Sequence, residues 1–250
     1  MCPSSLQSSA SQSNWTAFDT AKRASRRFKK PEWYNPPVVL SGTLADILSR
    51  AITLVIAFTV HEFAHAWSAD RLGDDTPRLA GRLTLNPLRH LDPIGSLLLL
   101  VAGFGWAKPV PINPYALQRR TPAGMMLVSA AGPLSNLGLA ILAAFPFQAG
   151  LIRAEFVANP LLPSLTGLLQ TFIFINLILL FFNLIPIAPL DGEKVLAFFL
   201  PRGGQEVLMR IRPYGPMILI LLIASGRFGI DLLGLLVRTP TIQLFTLLVS

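Results

Sequence analysis

The chain has 250 residues, 52% hydrophobic and only 14% charged, with one cysteine and a formal net charge of +8. Soluble domains carry roughly 25% charged residues, so this composition belongs to a membrane protein. One cysteine excludes an internal disulfide framework and a cysteine-based zinc site. The positive charge is not a nucleic-acid footprint: six of the 21 basic residues lie between Lys22 and Lys30, and many others flank apolar runs. That distribution reads as topology signals and contacts with anionic lipid headgroups.

Residues 1–40 are Ser-rich, then basic, then Pro-rich at Pro31, Pro36 and Pro37. They hold too few apolar residues for a core and read as a flexible basic tail. No apolar stretch marks them as a secretory signal; the Ser- and Arg-containing, acid-poor start weakly resembles an organelle transit sequence.

A first apolar segment runs from about Leu44 to Trp67. In its first seventeen residues, Leu44 to Val60, only Asp46 and Arg50 are charged. At its end stands His61-Glu62-Phe63-Ala64-His65, which takes two of the chain's three histidines. Ionisable groups there are costly unless they bind something. Four residues apart on a helix, the histidines share a face and can grip one metal ion. Glu62 sits about 100° around the helix from His61, near enough to act as a base without being a ligand.

Ile94 to Trp106 is short for a span at about 20 residues per crossing and reads as re-entrant or partly buried. Leu79 to Leu85 alternates in a partly strand-like way. Ala123 to Phe147 is a full span in which Gly132-Pro133 should kink the helix or loosen its hydrogen bonding. Leu165 to Ile187 is another, ending at Pro186 and Pro189. From Met217 the chain is apolar but broken by Arg227 and Asp231, giving one span plus a surface helix, or two short spans. The fold class is therefore an all-α polytopic membrane protein of about four to six transmembrane helices, with a re-entrant or short β-containing segment near residues 79–107. Its parts are the tail (1–40), a membrane-embedded core (41–212) and C-terminal membrane helices (213–250).

Four arginines between Ser68 and Pro93, three basic residues from Lys108 to Arg120 and four in 192–212 contrast with Arg153 alone in 148–164. The positive-inside rule puts the first three stretches in the cytoplasm. His61, His65 and Asp191 then meet near the cytoplasmic side, provided Ile94–Trp106 does not cross. The arrangement leaves the cluster at 22–30 outside, against the same rule, unless that tail is removed or has little weight.

An open zinc site needs a third protein ligand. His90, Glu155, Asp191, Glu193 and Glu206 are the candidates. Asp191 is preferred, because it follows an apolar stretch with two prolines, where a carboxylate needs a partner; capping the helix from Gly192 to Leu200 is its alternative role. Two histidines and a carboxylate would also suit non-haem iron, but a glutamate directly after the first histidine favours zinc hydrolysis. Asn136, an amide inside a span, needs a hydrogen-bond partner. It serves either the site or helix packing. His90 is either a partner of the site or a surface histidine beside Arg89 and Asp92.

His61-Glu-Phe-Ala-His65, Gly132-Pro-Leu-Ser-Asn136 and Asn183-Leu-Ile-Pro-Ile-Ala-Pro-Leu-Asp191-Gly192, in that order, resemble the site-2 protease family of intramembrane zinc metalloproteases. Gly81 to Gly95 and Gly105 to Asn113 are similar to its compact bacterial branch, which lacks a PDZ or other regulatory domain. The likeness covers about residues 40–200. It implies one Zn²⁺ per chain held by His61, His65 and Asp191, with Glu62 as general acid/base and Asn136 assisting substrate or oxyanion binding. It also implies a membrane-protein substrate, a lipid-bilayer setting and a bacterial cell membrane, with an organelle membrane as the alternative. Nucleic acid has no place in this reading, and a homo-oligomer or an adaptor is left open. The rivals are a membrane zinc peptidase of another family with a glutamate ligand, and an inactive scaffold that keeps a metal site.

Overall fold

The computed structural model describes residues 43–95, 98, 106–153 and 161–250, which belong to the unit Gly42–Ser250. The tail, most of Ile94–Trp106 and Glu155 lie outside the described residues. Nine α-helices of the described chain matter here: α1 (Leu44–Arg71), α2 (Thr76–Leu79), α3 (Pro114–Arg120), α4 (Gly124–Gln148), α5 (Leu165–Asn183), α6 (Asp191–Phe199), α7 (Arg202–Ile211), α8 (Gly215–Ala224) and α9 (Thr239–Val249). Among the described residues, α1, α4, α5 and the stretch Arg202–Phe228 are long and apolar enough to cross a membrane; Gly234–Val249 is a shorter apolar helix.

α1 starts at a capping box, in which the Thr43 hydroxyl accepts from the Asp46 backbone N–H and the Asp46 carboxylate accepts from that of Thr43. Its buried side is a stripe at every fourth residue: Ala45, Ser49, Thr53, Ala57, His61, His65 and Ala69. α4 buries a matching stripe of Gly124, Val128, Gly132, Asn136, Ala140 and Ala144. Small side chains at i, i+4 let two helix backbones approach, which is how helices associate where lipid is as apolar as leucine. The two pack against each other, and α4 also packs on α5 and α6. The two histidines stand in the same stripe as the small residues, so the packing that joins α1 to α4 also brings them to the helix interface. Large apolar side chains point the other way: Ile47, Ile52, Val55 and Ile56 on α1, Leu134, Ile141, Leu142 and Phe145 on α4 are exposed, as lipid contact requires.

α4 runs through Pro133 and Pro146 as one helix. α5 contributes Ile173, Leu177 and Leu180 to a buried cluster with Ala140, Ala144 and Phe147 of α4, and α9 lies against it. Gln148, at the end of α4, donates to the carbonyl of Leu248 at 2.8 Å and so ties down the last turn of α9.

Between α1 and α3 the described chain holds no strand. Leu91 and Ala107 form a single antiparallel bridge, and the Lys108 N–H donates to the His90 carbonyl at 2.8 Å. The segment between them thus begins and ends at one place. Residues 79–85, whose alternation is partly strand-like, form no strand: Leu79 ends α2, Ala80 and Gly81 turn the chain, and 82–85 are irregular. Gly81 takes a left-handed φ of 66°, and the next residue sets the course of the loop. The Arg82 guanidinium is buried and donates to the carbonyls of Arg89 (2.7 Å), Lys108 and Pro109 (both 3.1 Å). Replacing Arg82 with Ala leaves three carbonyls without their donor and should cost about 3–5 kcal/mol. Lys cannot reproduce the fork, so Arg82→Lys should recover little of the thermal stability lost in Arg82→Ala.

Candidate metal centre

His61 and His65 project from the second half of α1 with ring centroids 4.7 Å apart, and both are buried. Their Nε2 atoms lie 3.1 Å from each other. Asp191 arrives from the other end of the core. The Asn183–Leu190 stretch closes in tight turns, with Ile187 N–H donating to the Ile185 carbonyl at 2.8 Å and Leu190 N–H to that of Ile187 at 2.9 Å. Leu190 takes the helix-capping position without a side-chain bond, and Asp191 is the first residue of α6. The carboxylate is therefore not the cap that the sequence allowed as an alternative. Its Oδ2 lies 3.3 Å from His61 Nε2 and 3.2 Å from His65 Nε2. Its other oxygen, Oδ1, faces Lys194 Nζ at 3.7 Å.

The donor set fits a cation. His65 Nδ1 lies 2.7 Å from the Val128 backbone carbonyl, which can only accept, so Nδ1 carries the ring proton. A neutral His65 then presents a lone pair from Nε2 to a carboxylate oxygen, a contact that is repulsive unless a positive centre lies between them. Among the described residues, these three side chains are the only His, Cys, Asp and Glu group able to converge on one ion, their ligand atoms all within 4.8 Å. Space for it comes from Gly132 on α4. A Cβ there would overlap His65 Nε2 and sit 2.6 Å from His61 Nε2.

Glu62 is buried beside His61 and makes no hydrogen bond or ion pair among the described residues. Asn136 is fully buried and reaches the group from behind: its Oδ1 lies 2.6 Å from His61 Nδ1, and its Nδ2 donates to Asn176 Oδ1 at 2.9 Å. The Asn176 amide in turn donates to the Phe172 carbonyl at 2.8 Å. Asn176 was missed in the sequence, where it is one polar letter inside the apolar run of α5. In the sequence Gly132 reads as a kink or loosening of its helix and as the first residue of the Gly132–Asn136 motif, not as the close neighbour of the two histidines that it is in the structure.

The other candidate ligands lie elsewhere. Glu193 is buried against Arg212, whose Nη2 donates to Oε1 at 2.6 Å. Glu206 sits on the exposed α7. His90 is no surface residue: it is fully buried, with Nε2 donating to the Thr84 carbonyl at 2.7 Å, and it is not part of the three-residue group.

A membrane-helix scaffold that brings a His-x-x-x-His pair to an aspartate defines a metallopeptidase class, and the comparisons agree. Peptidase family M50 matches residues 148–224. The chain is 43% identical over 177 residues to YwhC of Bacillus subtilis, named as a candidate zinc metalloprotease; the match covers 70% of this chain and 79% of that one. Rip2 of Mycobacterium tuberculosis, named in the same way, is 32% identical over 189 residues, covering 74% and 69%. Rip2 of Mycolicibacterium smegmatis is 32% identical over 174 residues, covering 68% and 64%. No solved structure matches the chain. The chain belongs to peptidase family M50, the site-2 proteases, and is a zinc metalloprotease of the membrane.

Proposed function

We propose that this protease works within the bilayer, hydrolysing peptide bonds in or next to membrane-spanning segments of other proteins. The observation that carries the reading is the setting of the three ligand atoms. Two come from the buried stripe of a 28-residue apolar helix, and the third comes from the helix that follows another apolar span. A substrate carbonyl reaching them has to come between helices, not across a soluble cleft. In this reading His61 Nε2, His65 Nε2 and Asp191 Oδ2 hold one zinc ion, which when bound supplies Lewis acidity.

The Glu62 carboxylate accepts a proton from the attacking water and returns it to the departing amine nitrogen. Asn136, engaged through Oδ1 and one amide hydrogen, supports a positioning role at His61 better than direct contact with substrate. Lys194 neutralises the Asp191 oxygen that faces away from the histidines. The charge distribution supports a group lying toward the cytoplasmic side. Bacterial relatives support a bacterial cell membrane.

The test is cleavage of a reporter with one transmembrane segment by the purified full chain in liposomes. Mass analysis of the products should place the cut inside or at the edge of that segment. A zinc chelator should reduce cleavage to background, and added zinc should restore it. Cutting confined to water-exposed flanks of the reporter would overturn the intramembrane reading; activity that persists without zinc would overturn the mechanism.

A further inference from the structure

The hydrogen bonds behind His61 run in one direction, and that direction has a chemical consequence. The chain of contacts is Phe172 carbonyl, Asn176 amide, Asn136 amide, His61 ring, with separations of 2.8, 2.9 and 2.6 Å. A backbone carbonyl only accepts, so the Asn176 NH₂ group must face Phe172 and its Oδ1 must face α4. Asn136 must then donate its NH₂ to Asn176, which leaves its Oδ1 for His61. The ring nitrogen opposite that oxygen, Nδ1, has to be the one that carries hydrogen. Both asparagines have no exposed surface and His61 has 5%, so water is not at hand to satisfy the opposite arrangement. Turning both amides over would set Asn176 Oδ1 against the Phe172 carbonyl, two acceptors with no donor between them, which is costly in a buried site.

We propose that Asn176 is a positioning residue for the zinc site: anchored on the Phe172 carbonyl, it keeps Asn136 from flipping and thereby holds the His61 proton on Nδ1, leaving Nε2 free toward His65 and Asp191. The proposal rests on His61 being a zinc ligand. Asn136 alone does not suffice, because the oxygen and nitrogen ends of an amide have nearly the same shape. Flipped, it would offer NH₂ to His61 Nδ1 and drive the ring proton to Nε2, into the place where the three ligand atoms converge. His65 needs no such device, since the Val128 carbonyl fixes its ring directly. One histidine is thus set by backbone and the other by a relay of two side chains. Groups that orient ligating histidines in this way shift metal affinity by about 10–100-fold.

The rival reading is that Asn176 merely joins α4 to α5, and a rescue separates the two. Zinc affinity of the purified full chain is measured by competition with a chromogenic chelator. Asn176→Leu should weaken it about 10–100-fold. Adding Asn136→Asp to Asn176→Leu should bring it back to within about three-fold of the unsubstituted protein, because a carboxylate accepts from His61 Nδ1 whichever way it is turned. A purely structural link predicts the reverse, a further loss on the second substitution. Should Asn176→Leu fail to fold, Asn176→Asp serves. Its protonated carboxyl both donates to Phe172 and accepts from Asn136, so zinc affinity should be unchanged or tighter. Unchanged affinity in Asn176→Leu, failure of the double substitution to restore it, or weakened affinity in Asn176→Asp overturns the relay. His61→Ala in the same assay tells the two claims apart: full zinc affinity there means that the ligand assignment has failed, not the relay.

Discussion

Glu62→Gln should lower cleavage of a transmembrane reporter by about 10²–10⁴-fold while the purified protein keeps its zinc. The expectation rests on what Glu62 does not do. It lies outside the three-residue group that could hold an ion, and neither a hydrogen bond nor an ion pair occupies its carboxylate among the described residues. Such a group is buried at a cost, and the reaction is what uses it: it is the next residue along the chain from His61, and no partner among the described residues occupies it. Glutamine has the same shape and can still accept a hydrogen bond, but it cannot take up the proton. The loss should therefore appear in the turnover rate, with substrate affinity and melting temperature little changed. Metal content by atomic absorption and cleavage by gel are the two readouts. An unchanged rate would remove Glu62 from the mechanism. Loss of zinc together with activity would make it a ligand and reopen the role of Asp191.

The helix period made the histidine pair legible in the sequence: residues four apart meet on one face whatever else the chain does. The spans were legible as well, since apolar runs at Leu44, Ala123 and Leu165 mark helices that begin within a residue of those positions. What escaped depends on partners distant in the chain. Asn176 lies 40 residues from Asn136, and nothing local to either residue tells that they share a hydrogen bond. The every-fourth-residue stripe of small side chains on α1 is plain in the letters, but its meaning needs the matching stripe on α4. At 79–85 a real alternation of side chains was outweighed by Gly81 in its left-handed turn and by Arg82, whose guanidinium finds carbonyls 7, 26 and 27 residues away. His90 is polar among charged neighbours, yet it is fully buried and bonded to the Thr84 carbonyl.

Gly132→Ala should remove zinc from the protein, with affinity lowered at least ~10²-fold and cleavage lost with it. A glycine in mid-helix usually costs about 0.5–1 kcal/mol relative to alanine, so on propensity alone the change would be stabilising. Gly138, six residues further along α4, is the control: a Cβ there meets nothing within 4 Å, and Gly138→Ala should be neutral or slightly stabilising with zinc and activity intact. At Gly132 the added carbon falls onto the Nε2 atoms of both histidines, the atoms that would carry the ligand lone pairs. Neither ring can easily retreat. His65 is held from behind by Val128 and His61 by Asn136, and these bonds lie on α4 itself, so shifting the helix shifts the supports with it. The alternative response, a separation of α1 from α4, would open two stripes that pack through small residues along their length. Either response disturbs the convergence with Asp191 before it unfolds the protein. A circular dichroism spectrum and melting temperature close to those of Gly138→Ala, together with an empty metal site, are the expected pair of results. Gly132→Ala protein that retains full zinc and full cleavage would mean that the ion is held somewhere other than between these three side chains.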